Sequence, residues 1–184
     1  DQVRLAGQEI AESWLRCARN GLKIDNDVKK ITLTSLEFKK LISEKELLIE
    51  AFTRYSDKFK KLLWDSNNGI VLFDENGVVL IDLSPEQEDR HPAFQRGAIW
   101  DEHTVGTCSH IISTINHKPA QVFGAQHYKE IFCRFTSSSA PIFDFNDEIV
   151  GVLTIASQNE FYTNSHTFGL AISLADVIQK EYFN

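Results

Sequence analysis

"SSSAPIFDFNDEIVGVLTIAS", residues 137–157, decides the fold. Two runs rich in β-branched and aromatic residues flank Asn146-Asp147, a turn dipeptide, which is the pattern of a β-hairpin. An earlier stretch, "GIVLFDENGVVLI" at 69–81, repeats the pattern around Asp74 to Gly77. Between the hairpins lie an irregular segment and a short helical pattern, and helices precede and follow. Hairpins mixed with helices in this order predict an α+β domain, an antiparallel sheet with helices packed against it.

Working outward, "GQEIAESWLRCARNGL" places Ile10, Trp14 and Cys17 on one helical face and stops at Asn20-Gly21, a helix C-terminus signal. Thr34 to Glu37 and Ser43 to Glu46 read as two successive capping boxes, predicting a short helix and then a long one over about 44–66. In the long helix Leu48, Phe52, Tyr55, Phe59 and Leu62 form a heptad seam, which suits either packing on the chain's own sheet or a contact with a second copy. Residues 82–102, with two prolines and Gly97, are long for a structureless loop and are expected to hold a short helix and wrap a site. A further helix is expected over 107–117, ended by Lys118-Pro119. A last one from about 164 carries Phe168, Ile172, Ala175, Ile178 and Tyr182 on an apolar stripe, wide enough for a core contact and a partner contact.

The formal charge of −7 over 184 residues argues against a nucleic-acid grip by this chain, because phosphate contacts need a basic face. Cys17, Cys108 and Cys133 are an odd number without a CxxC pair, which fits reduced thiols in a cytoplasm. No apolar run approaches the ~18 residues of a bilayer span, and no leader opens the chain, so a cytoplasmic protein without membrane contact is expected. The chain starts at Asp1 and holds no methionine, as expected of a piece of something longer.

The chemistry concentrates in "WDEHTVGTCSHIISTINHKPAQVFGAQHYKE", residues 100–130, with four of the six histidines. A metal site needs three or four ligands aimed at one point. Cys108 and His110, two apart on a helix, would point to opposite sides, and no second ligand pair completes a set. Iron or haem held by one histidine would leave no motif. A nucleophilic cysteine needs a depressed pKa; Cys108, at a predicted helix start near His103 and His110, has a suitable environment but no further signature. No phosphate loop, dinucleotide fingerprint, HExxH or GxSxG is present. The third reading is a binding pocket. Aromatic Trp100 and Phe123, with Thr107, Cys108, His103, His110, His127, Ser137 and Ser139, supply the apolar walls and placed polar groups that ligand pockets use.

Several of these stretches, taken in order, resemble one family. "EIAESWLRCARNGL", "GAIWDEHTVGT" and "KPAQVFGAQHY" resemble segments of the sensor region of sigma-54-dependent transcriptional activators of the acetoin- and glycerol-catabolism type. The second is their Trp-x-Glu-x-x-x-Gly-Thr element, at Trp100, Glu102, Gly106 and Thr107; the third their Pro-then-Gly-x-x-His stretch, at Pro119, Gly124 and His127. The 137–157 hairpin is similar to the second hairpin of the GAF fold. The resemblance implies a six-stranded antiparallel GAF sheet flanked by helices. Residues 1–66 would form an N-terminal helical segment, and 67–184 a GAF-like sensor domain ending in a signalling helix. It also implies a pocket closed by residues 97–117, and a small-molecule effector with no cofactor or enzymatic activity. A following AAA+ ATPase domain, a DNA-binding domain and a homodimer belong to the same expectation. A metal or haem sensor, or a thiol-dependent enzyme of the free-methionine-sulfoxide-reductase type using Cys108 with Cys133, are the alternatives on that fold. Two departures stand out. Cys108-Ser109-His110-Ile111 replaces a usual Asn-Ala-Ile-Gly, implying a different ligand, and Asp147 stands where the hairpin turn usually has Gly.

Overall fold

The computed structural model of the chain describes residues 7–25, 27–85, 94–158 and 165–183. Three helices come first: α1 (Gln8–Arg19), α2 (Ser35–Glu44) and α3 (Glu46–Asp65). The first hairpin follows as β1 (Asn68–Phe73) and β2 (Val79–Asp82). Then come α4 (Ser109–Asn116) and β3 (Ala120–Phe123). The second hairpin, β4 (Thr136–Phe143) and β5 (Ile149–Ser157), precedes the last helix, α5 (Ser165–Tyr182).

The strands form one antiparallel sheet in the order β2-β1-β5-β4-β3, so that the two hairpins meet through β1 and β5. Side chains alternate between its faces. Ile70 and Leu72 of β1, with Leu153 and Ile155 of β5, join Leu48 and Phe52 of α3 and Leu174 and Ile178 of α5 in the main core. Each such side chain, taken fully out of water, contributes about 1.5–3 kcal/mol. Gly69, Val71 and Phe73, opposite Ala156, Thr154 and Val152, point to the other face, which α4 and the 94–135 segment cover.

The sheet among the described residues has five strands, not the expected six. The segment that would supply another, next to β2, makes only isolated bridges, Val78↔Ile99 and Thr32↔Ala98. Gly97 sits at φ +80°, and its N–H and the Ala98 carbonyl both bond to Val79. The Trp100 N–H donates to the Gly77 carbonyl at 2.8 Å, and the pairing goes no further than these isolated bridges. Residues 86–93 of the segment expected to hold a short helix lie outside the described residues.

The Thr34–Glu37 capping box is present, with the Thr34 N–H donating to Glu37 at 2.8 Å. The second expected box, Ser43–Glu46, does not form. Ser43 is still inside α2, and Lys45 ends one helix and begins the next without a side-chain cap. The heptad seam turns inward: Leu48 and Phe52 are fully buried against the sheet, with Tyr55 and Phe59 packed beside them. Leu62 breaks the pattern and is 66% exposed, the inward position passing to Leu63. At the 144–148 turn Asp147 adopts φ +60°, while the Asp144 carboxylate accepts the N–H groups of Asn146 and Glu148. This Asx-type closure lets an aspartate hold a left-handed position that glycine would take freely.

Candidate functional site

The second sheet face owes its character to small and polar residues on its strands. The turn near Asn146-Asp147 sets Ser137 opposite Ala156 and Ser139 opposite Thr154. Two strands that would otherwise fill the space with branched side chains therefore leave room above them. The room is a cavity of ≈ 150 Å³, walled mainly by apolar and aromatic side chains and bordered also by Asn67, Ser84, Arg134 and Gln158. A cavity of about this volume accepts a benzene-sized molecule.

Of the nine sequence-proposed residues, Trp100, Cys108, His110, His127 and Ser137 line it. His110, in the first turn of α4, lies flat on Phe73, ring centroids 4.1 Å apart. Its Nε2 is 2.7 Å from the Trp100 carbonyl, which can only accept, so Nε2 carries the hydrogen. That carbonyl lies close against Gly77: a Cβ there, at φ +79°, would come within 2.7 Å of it. The hairpin glycine thus shapes the pocket as well as the turn. His127 follows a short 3₁₀ turn, Gly124–Gln126, and its Nδ1 is 3.1 Å from the Gly124 carbonyl. Burial depresses both imidazoles to a pKa of about 4 against a slight upward pull from those carbonyls, so both are neutral at pH 7.

The other four sit elsewhere. His103 is on the exposed outside of the 101–104 turn, where Asp101 accepts the Thr104 N–H. Phe123 is half-buried on edge strand β3. Ser139 is fully buried one layer behind the wall, bonded at 2.7 Å to both Ser109 and Thr154. Thr107 points away to α1 and meets Ser13 at 2.7 Å. This last contact belongs to a clamp. Glu102 accepts from Ser13 at 2.6 Å and from Arg16 through Nε and an Nη at 2.8 and 2.9 Å, while Trp14 donates to the Gln126 carbonyl. The Trp-x-Glu-x-x-x-Gly-Thr element therefore divides its work. Trp100 faces the cavity, and Glu102 and Thr107 pin α1 to the segment that closes it.

The sequence did not point to Phe73, Phe132, Thr154, Ala156 or Arg134 as lining residues. The register implied by the second hairpin would have found Thr154 and Ala156, two apart and across from serines already chosen. Cys108 shares the wall, but burial pushes its thiol far up, the reverse of what a thiolate nucleophile needs. Cys133 ends a 3₁₀ turn, half-buried, with its Sγ 3.7 Å from the Lys129 carbonyl. Among the described residues no three His, Cys, Asp or Glu side chains are arranged to hold a metal ion.

No protein-family model matches the chain. Over 173 residues it is 25% identical to a signal-transduction and transcriptional-control protein of Clostridium beijerinckii, covering 92% of this chain and 27% of that protein. Over 157 residues it is 24% identical to a glycerol metabolism operon regulatory protein of Citrobacter freundii, covering 79% and 23%. The chain thus spans about a quarter of the length of these curated relatives. Its fold matches a chain of the E. coli DhaR(N)–DhaL complex with a TM-score of 0.89 at 17% identity, covering 96% of this chain and 60% of that one. Across most of its length the chain is similar in sequence to transcriptional regulatory proteins, and its fold is the expected antiparallel GAF-like sheet flanked by helices, with five strands among the described residues rather than six.

Proposed function

We propose that this chain is the small-molecule-sensing segment of a cytoplasmic sigma-54-dependent transcriptional activator. In this reading residues 67–184 are the sensor, and residues 1–66 extend it. The cavity takes an effector, and the helices α3 and α5 carry its occupancy to an attached AAA+ ATPase and a DNA-binding domain. The observation that carries the reading is the cavity itself: aromatic walls, two buried neutral imidazoles and a serine hydroxyl converging on a space large enough for a ligand. The clamp supports it mechanically, since the segment bearing Trp100 and Cys108 is tied through Glu102 to α1. An effector shifts such an equilibrium only by its differential affinity for the two arrangements. Association of two copies through the exposed Leu47, Leu62 and Ile172 of α3 and α5 belongs to the same proposal.

A second reading is that the segment answers a protein partner. The DhaR(N)–DhaL structure favours it, being by its name a complex of two proteins. The enzymatic reading has less support, given the protonated Cys108. One experiment separates the first two. A set of small metabolites is screened by saturation-transfer NMR, and each binder is titrated against wild type and Ala156→Phe. Ala156 lines the cavity opposite Ser137, so a phenyl ring there fills it. Binding is expected to weaken at least 100-fold while the variant stays folded. Binders that ignore the substitution, or a screen without binders, would turn the account toward the protein partner.

A further inference from the structure

Two features of the cavity restrict what it accepts. The first is the fixed direction of its imidazoles. His127 directs Nδ1 at the Gly124 carbonyl, 3.1 Å away, so in the neutral ring Nε2 is a bare acceptor. The Ser137 hydroxyl lies 3.5 Å from Nε2, at the far end of hydrogen-bond range, although His127 is only 4% exposed. A buried acceptor so weakly satisfied is a place for a ligand's donor. His110 has already directed its Nε2–H to the Trp100 carbonyl, so neither ring has an N–H left for an anion.

The second feature is charge. Among the described residues that line the cavity there is no Asp, Glu or Lys, and the single cation, Arg134, is exposed at the mouth with its guanidinium 5.1 Å from the Phe135 ring centre. Away from Arg134, a charged group inside would lose its water without gaining a counter-charge among the described residues. Val71, Phe73, Trp100 and Phe132 face the body of the ligand instead.

Resting on the sensing reading, we infer that the cavity selects an uncharged molecule of about benzene size with an apolar body and a hydroxyl group. The hydroxyl donates to Nε2 of His127 and accepts from Ser137. A hydroxyl suits the pair because one oxygen serves both partners, and the Ser137 hydrogen, released from its long contact, turns to the ligand. The chain Ser109–Ser139–Thr154, each step 2.7 Å, runs from behind the wall to Thr154 in it and fixes the layer beneath the ligand.

Three probes of similar size test this: phenol, toluene and benzoate, each titrated into the protein and followed by the ¹³Cε1–H resonances of its histidines. Phenol is expected to bind at least ten-fold more tightly than toluene or benzoate, and to shift His127. His127→Phe should bring phenol down to the level of toluene. Ser137→Ala, which leaves the histidine in place, should weaken phenol several-fold and leave toluene unchanged. Equal binding of phenol and toluene, or phenol binding that neither substitution alters, would overturn the hydroxyl assignment. Benzoate binding as well as phenol would overturn the neutral class in favour of an anion held by Arg134. Either result leaves the sensing cavity standing. Failure of all three probes to shift any cavity resonance at millimolar concentration would overturn both.

Discussion

Acidification from pH 7 to pH 5 is expected to remove about 4 kcal/mol from the stability of this domain, before its surface carboxylates begin to protonate. The cause is the pair of cavity imidazoles. In the unfolded chain each histidine titrates near 6.5; in the fold burial holds both near 4. The unfolded state therefore binds more protons between those values, and stability rises with pH across the window. It is complete above about pH 6.5 and is lost as pH falls toward 4. Each ring contributes about 2 kcal/mol of the loss by pH 5 and about 3 kcal/mol by pH 4. Together these approach the whole stability of an ordinary domain, about 5–15 kcal/mol. Asp25, Glu37 and Asp144, whose carboxyls hydrogen bonds hold below their usual values, act only at lower pH. Asp74, raised by burial, acts in the opposite direction, so it does not explain a loss. Urea midpoints at the two pH values measure the effect, and His127→Phe should remove roughly half of it. A midpoint that does not move between pH 7 and pH 5 would mean that the rings are solvated and the cavity wrongly drawn.

Glu102→Ala is expected to cost about 3 kcal/mol and to free α1 from the rest of the domain. The Arg16 side chain is 35% exposed, so its loss alone counts for about 1 kcal/mol after solvent screening. The larger part comes from Ser13, fully buried, which loses a charged acceptor worth about 1.5–3 kcal/mol and keeps only Thr107. Amide hydrogen exchange should show protection lost over residues 8–19 while β1 and β5 stay protected. Uniform destabilisation without selective release of α1 would remove the clamp from the account.

The parts of this fold that follow a period could be read from the sequence. The 137–157 hairpin, the long third helix and the last helix stand where the alternation and the 3.6-residue stripe placed them. The absence of a sixth strand was not legible, because the Val78–Ile99 and Thr32–Ala98 bridges stay isolated through backbone geometry that no apolar pattern reports. The second capping box shows the same limit: Ser43 and Glu46 have the right spacing, but the preceding helix runs through Ser43 and removes the extended residue that a cap requires.

At the site, sequence composition picked the right neighbourhood but could not assign directions. His103 and His110 are seven residues apart and equally suggestive as letters. One is turned outward by the Asp101–Thr104 turn, the other inward by the first turn of α4. Apart from Trp100 the aromatic wall was missed, because Phe73 and Phe132 come from segments distant in the chain. Thr107 was grouped with the pocket, yet it bonds to α1, as does Glu102 of the same motif.

The central claim, that residues 94–135 fold over small strand residues to leave an occupiable space, is tested most directly by a crystal held under xenon pressure. Xenon enters apolar cavities of this size without needing a specific polar partner. The account predicts a xenon atom among Val71, Phe73, Trp100, Phe132 and Ala156. Side chains interlocked across that position, with no xenon there at any pressure the crystal survives, would contradict it.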